Sequence, residues 1–401
     1  MASVQYREIN DRSGRFHALL AAFGALILAA LGAAWTMEHR GHVVTGMSNR
    51  VVWGLPHVFA VFLIVAASGA LNVASIASVF GRDFYKPLAR LSGLLALTLL
   101  AGGLAVLVLD LGRPDRLIVA MTHYNFKSVF AWNIFLYIGF LAVVALYLWT
   151  MFERRMNDYM GRAGMLAFLW RLVLTTGTGS IFGFLVAREP YNSALLAPLF
   201  IVMSFSFGLA VFLLVLMSAF RWSGRALGDA VLKRLGNLLG VFAAAVLYFV
   251  AVYHLTNLYV TRQHPFEQFI LLEGGVYTAL FWLGQVLLGG VVPLVLLFGR
   301  GAKRARGKLV AAAACVIAGG FAQLYVIIIG GQAYPQLMFP DKVVASSFFD
   351  GVVAAYAPSL PELALGAGGV ALALALTVVA LKVLPFLPRS LTDGDVDSPA
   401  T

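Results

Sequence analysis

Long uncharged stretches alternate with short charged ones from one end of the chain to the other. Segments without Asp, Glu, Lys or Arg cover residues 16–37, 51–80, 91–109, 128–152, 190–220, 235–261, 274–299, 309–340 and 363–381. A tenth, 163–187, is interrupted only by Arg171. Each reaches the ~18 residues from which a bilayer-spanning helix is built. None shows the in–out alternation over ~10 residues that marks a barrel strand. The pattern predicts an all-α integral membrane protein of ten transmembrane helices: one bundle over 16–384 between tails 1–15 and 385–401. The first stretch follows Arg7, Arg12 and Arg15, but it outruns the ~15-residue limit of a secretion-signal core, so it is expected to stay as a helix.

Charge orients the bundle. Charged residues are 12% of the chain, about half the share usual in soluble proteins. Of the 29 Lys and Arg, 20 fall in the two tails and the connections after helices 2, 4, 6 and 8; eight fall in the other connections, and Arg171 lies within a helix. Basic residues remain cytoplasmic, which places both termini inside and the chain in a bacterial inner membrane. The net charge of +11 is therefore a topology signal. A nucleic-acid binder would need a basic soluble surface, and "GRGAKRARGK" (299–308) is expected as a cytoplasmic loop facing anionic lipid. The single cysteine, Cys315, builds no disulfide, iron–sulfur cluster or cysteine zinc site.

The outer connections carry Glu38, Asp110, Asp115, Glu189, Glu267, Glu273, Asp341, Asp350 and Glu362, with most of the histidines. That face is expected to react or to dock a partner. "LDLGRPDRL" (109–117) ends the third helix with two acids and two arginines; Gly112 and Pro114 stop the helix, and an arginine can fork onto a carboxylate. It serves either as a clamp or as the border of a proton-exchanging cavity. "WGLPHVF" sets His57 at the outer end of helix 2, and "YHLTNLY" sets His254 at comparable depth on helix 7. Imidazole suits proton exchange near neutral pH, and two histidines at one depth also leave haem b open as a cofactor. "AREPYNSALLAPLF" brings Glu189, Tyr191 and Asn192 to the same layer. Arg171 is expected to snorkel toward the cytoplasm. Glu267 and Glu273 are expected on a solvated or partner-facing edge.

Three segments resemble the NrfD/polysulfide reductase family of membrane subunits. "LALTLLAGGLAVLVLDLGRPDRL" is similar to that family's helix ending in an Asp-Leu-Gly-Arg-Pro turn. "FGFLVAREPYNSALLAPLFIVMSFSFG" is similar to its Pro-aromatic-Asn-Ser/Thr…Pro-Leu-Phe segment, and "VFLIVAASGALNVASIASVFG" fits its small-residue helix. The likeness covers about residues 45–350 and is greatest to the long ten-helix branch, which includes the membrane subunit of the sulfite-reduction-associated electron-transfer complex. The family departs from this chain in commonly having tryptophan where Tyr191 stands, and an aromatic near the "GTGSIFG" glycines.

The resemblance implies a subunit with no redox metal of its own. It would bind quinone, menaquinone or ubiquinone, near the outer face, and exchange electrons with a periplasmic ferredoxin-like iron–sulfur subunit alongside other membrane and cytochrome subunits. It carries quinone contact onto Asp110, Arg113, Tyr191 and Asn192, and less directly onto His57. His57 and Asp110 are expected to exchange protons, with Asp110 oriented by Arg113; Glu189, Arg171 and His254 are candidates for a proton path. The competing readings are a secondary transporter, which usually has paired broken helices in matching halves that this sequence does not announce, and a purely structural anchor.

Overall fold

The computed structural model describes residues 5–11, 13–299, 306–336 and 351–396, side chains to 394. Asp341, Asp350 and most of the basic segment 299–308 lie outside the described residues. Among the described residues, ten helices are long and apolar enough to cross a membrane: α1 (Gly14–Arg40), α2 (Leu55–Ser78), α3 (Asp83–Leu109), α4 (Val129–Phe152), α5 (Arg154–Gly183), α6 (Leu196–Trp222), α7 (Asp229–Tyr259), α8 (Val276–Phe298), α9 (Arg306–Ala333) and α10 (Leu360–Val383). The uncharged runs thus mark the observed spans one for one, with ends displaced by up to nine residues, outward where helices continue past the first charge and inward where they stop short of it. An even number returns both ends to one face, where a two-residue strand, β1 (Tyr6–Arg7), pairs antiparallel with β2 (Leu387–Pro388). The Arg225 guanidinium staples both by donating to the carbonyls of Arg7, Glu8 and Pro388.

Helix α2 is the axis of the bundle: 89% of its apolar window is buried, against α3 and α6. Small residues permit this. A Cβ added at Gly69 would lie 1.6 Å from the Ser204 carbonyl oxygen, and one at Gly208 would lie 2.1 Å from the Ala70 nitrogen. Backbones therefore touch directly, which is how helices associate where lipid removes the hydrophobic drive. Helix α1 has only 17% of its window buried and packs against α10.

The helices are less regular than the apolar runs suggest. Helix α2 breaks at Leu71. Helix α8 widens to π geometry over Leu280–Val291, and α9 does so over Val326–Gly330. Pro293 follows the wide stretch of α8 and has no N–H to offer the preceding turn; no proline marks the other two. These irregularities do not occupy matching positions in two halves, so they do not reproduce the transporter pattern.

Candidate functional site

The site is built where three spans end at the face opposite the termini. Helix α3 stops at Asp110, whose N–H still bonds the Val106 carbonyl at 3.0 Å. Two residues on, Gly112 takes φ +69°, and a Cβ there would press to 3.0 Å from His42. The glycine of the Asp-Leu-Gly-Arg-Pro turn therefore does two things. It supplies a left-handed residue that ends the helix, and it leaves room for an imidazole.

Two histidines fill the space around the carboxylate. His57, in the first turn of α2, places Nδ1 3.0 Å from Asp110 Oδ2, near enough for an ion pair but off the line of a conventional hydrogen bond. His42, from the α1–α2 connection, places Nε2 3.7 Å from Oδ1 and 3.2 Å from the Asp110 carbonyl oxygen. The Asp110 side chain is 1% exposed, whereas His57 is 24% and His42 33% exposed. Burial opposes ionisation of Asp110, but the two histidines more than offset it and hold its carboxyl below the usual range. The nearness of the Asp110 carboxylate, against partial desolvation, makes His42 hold its proton more tightly than an ordinary imidazole. A buried acid thus stands behind two half-exposed bases.

An aromatic wall adjoins His57. The Trp53 ring lies 6.3 Å from His57, 5.5 Å from Phe130, 5.6 Å from Phe182 and 6.4 Å from Tyr191. The segment leading into α2 is tied down by side chains. Gln332 accepts the Val52 and Trp53 N–H groups and donates to the Trp53 and Ile328 carbonyls, while Arg188 donates to the carbonyls of Arg50 and Gln332. On the other side Glu362, with no exposed surface, accepts from Gly46 N–H, Ser359 N–H and the Tyr356 hydroxyl at 2.7–2.8 Å. Burial and the adjacent Glu362 both push the Tyr356 phenol up.

The expected placements of Arg113, Arg171 and Glu267 are overturned. Arg113 does not orient Asp110: it forks onto Asp115 at 2.9 and 3.0 Å, and both side chains are largely exposed, because Gly112 turns the chain outward. Asn192 is exposed and joins no described contact in the cluster. Tyr191 is 1% exposed and gives its hydroxyl to the Ile328 carbonyl at 2.5 Å, so its phenol is spent within the protein and it reaches His57 only through Trp53. Arg171 does not snorkel. It is 1% exposed, donates to Asn72 Oδ1 at 2.9 Å and sits between the rings of Phe168 and Phe205. Glu267 is no solvated edge: it has no exposed surface and lies 2.7 Å from His254 Nδ1 and 2.8 Å from Asn257 Nδ2. Glu189 faces Arg262 at 3.5 Å on the rim. Glu273, by contrast, is exposed as expected and accepts from Gln268.

The residues the sequence did not single out are His42, Trp53, Gln332, Tyr356 and the role of Glu362. Glutamine was invisible to a search for charge, and Trp53 stands one position before the glycine that caps α2. His57 and His254 sit in separate clusters, each against its own carboxylate. Among the described residues, no three His, Cys, Asp or Glu side chains are grouped to hold a metal ion.

Residues 43–336 match the family model described as polysulphide reductase, NrfD. The protein is 28% identical over 402 residues to an Hdr-like menaquinol oxidoreductase integral membrane subunit of Archaeoglobus fulgidus, with 98% of this sequence and 100% of that protein aligned. It is 27% identical over 412 residues to a putative membrane subunit of dimethyl sulfoxide reductase from Halobacterium salinarum (94% and 92% aligned). It is 28% identical over 310 residues to one of the polysulfide reductase polypeptides of Wolinella succinogenes (71% and 96% aligned).

Proposed function

The chain belongs to the polysulphide reductase NrfD family, and from that premise we propose that it is the quinone-reactive membrane subunit of a multi-subunit electron-transfer complex. The observation that carries this reading is the approach of His57 to Asp110 at the membrane edge, beside the ring of Trp53. Quinol oxidation releases two electrons and two protons, so its pocket needs a group that can accept a proton. His57 takes up a proton, Asp110 supplies the balancing charge, and His42 provides a second proton-holding group on the other carboxylate oxygen. The off-line geometry of Asp110 leaves both its oxygens without a conventional donor, which fits a group meant to respond to a ligand. Trp53 offers a flat apolar face for a quinone ring. Run in reverse, the same groups deliver protons to a quinone.

The relative named for menaquinol supports menaquinone over ubiquinone as the carrier. The lysine and arginine count supports the Asp110 face as periplasmic in a bacterial inner membrane, with a ferredoxin-like iron–sulfur subunit docking there to take the electrons. The relatives named for polysulfide and dimethyl sulfoxide support placing the terminal chemistry on partner subunits; a sulfur compound is the substrate class we favour, on the resemblance to the sulfite-reduction-associated branch. The test is His57→Gln in the assembled complex. Quinol-linked turnover should fall by about 100-fold or more, the usual worth of a general base, with assembly intact. Unchanged turnover removes His57 from the site.

A further inference from the structure

The mechanism leaves unused the second buried acid–histidine pair, His254–Glu267, and the space beside it. A cavity of about 30 Å³ is lined by His254, Tyr253, Gln285 and Gln323, and closed by Pro190 and the wide turn of α9. Water needs roughly 10–15 Å³ of such space per molecule, so two fit. The polar groups around it are incompletely bonded. Gln323, 2% exposed, has Nε2 with no partner, and the side chain of Gln285, 7% exposed, makes no hydrogen bond to the described residues. Glu267 engages His254 through Nδ1, which leaves Nε2 as the free ring nitrogen. Buried polar groups without partners are costly, and π-helical bulges such as that around Gln285 frequently mark functional sites.

We infer that this cavity is a second, hydrated proton-exchange site, in which ordered water bonded by Gln323 and Gln285 passes protons to and from His254. A buried carboxylate is costly unless its charge is balanced, and a proton on His254 balances Glu267. Facing groups are few. Asn257 on α7 bonds the other Glu267 oxygen, and Tyr253 gives its hydroxyl to the Pro190 carbonyl. His264 bonds the Leu258 carbonyl, and Glu189 and Arg262 pair at the rim; α8 and α9 contribute Gln285 and Gln323. Farther in, α8 and α9 meet backbone to backbone, with a Cβ at Gly319 falling 2.1 Å from Gly289 Cα, beside a smaller space of about 10 Å³ that Gln285 and Gln323 also line. The site stores a proton at His254. Its wall, the wide turn Val326–Gly330, also supplies the Ile328 carbonyl that Tyr191 and Gln332 bond on the other side, which joins the store mechanically to the Trp53 segment.

The test uses the full chain in lipid, with nitrogen-labelled histidine observed by magnetic resonance from pH 5 to 9. One titrating ring signal in contact with water should vanish in His254→Gln. In Gln323→Leu, a substitution of similar size, that signal should persist but exchange its ring proton with solvent at least tenfold more slowly. A His254 signal that neither titrates nor contacts water overturns the inference, as does unchanged exchange in Gln323→Leu.

Discussion

Gln332 holds Trp53 by both ends of its peptide unit: Oε1 accepts the Trp53 N–H at 3.0 Å and Nε2 donates to the Trp53 carbonyl at 2.9 Å. A side chain of α9 thereby fixes the tryptophan that flanks His57. Gln332→Leu removes these bonds and those to the Val52 N–H and the Ile328 carbonyl, and leaves part-buried backbone groups unpaired at a cost of up to about 1–3 kcal/mol each. The expected result is a clear fall in thermal midpoint in detergent, with a broadened Trp53 environment in fluorescence. An unchanged midpoint would mean that the segment is held by Arg188 and by the Tyr356 hydroxyl, which accepts the Leu55 N–H at 2.6 Å, without Gln332.

The pairing of His42 with Asp110 predicts a pH dependence of stability. His42 binds its proton more tightly when folded, so its stabilisation is complete below the ordinary histidine value of 6.5 and is lost as pH rises through the raised folded value. Asp110 has a lowered folded value; its stabilisation is present above the ordinary 3.8 and is lost as pH falls through that lowered value. Thermal midpoints should therefore reach a plateau between these limits and decline on both sides. His42→Gln should abolish the alkaline decline; if the decline persists, another group is responsible.

Gly112→Ala tests the turn that assembles the site. The substitution forces a left-handed conformation on a residue with a Cβ, at about 1–2 kcal/mol, and pushes that Cβ toward His42. Lowered stability with a loss of the His42-dependent alkaline limb is expected. A variant of normal stability and normal pH profile would show that His42 does not depend on this approach.

Arg171 is a buried cation with no carboxylate within 4 Å among the described residues. Besides Asn72 it donates only to the Ser68 carbonyl, at 3.5 Å, among the described residues, and a buried charge that loses its best acceptor is costly. Asn72→Leu should therefore destabilise the protein by about 1–3 kcal/mol, whereas Arg171→Gln should be neutral or stabilising. Equal losses in both, measured by thermal unfolding, would contradict this view of the pair.

The spans were legible because a bilayer demands length and apolarity, and both are written in the runs of uncharged residues. Asp110 and His57 were legible for the related reason that polar groups at helix ends stand out against apolar flanks. What was not legible is pairing. Nothing in "DLGRPDR" says that Arg113 prefers Asp115, two residues away, to Asp110, three away, because that choice follows from the left-handed turn at Gly112. Arg171 and Glu267 were assigned to the surface because charge usually goes there; their burial depends on Asn72 and His254, each contributed by another part of the fold. Gln332 and Gln323 carry no charge and interrupt no apolar run, so only the fold reveals them.

Photoaffinity labelling with an azido-quinone would locate the carrier directly. The bundle also offers a decoy: an apolar crevice of about 550 Å³ near the termini, lined by Phe16, Phe62, Trp222 and Phe321 among others. If the quinone headgroup reacts at His57, the label should map by mass spectrometry to the peptide carrying Trp53 and His57, and its yield there should drop at least tenfold in His57→Gln. Labelling confined to the crevice near Phe16 and Trp222, with none at Trp53 or His57, would contradict it.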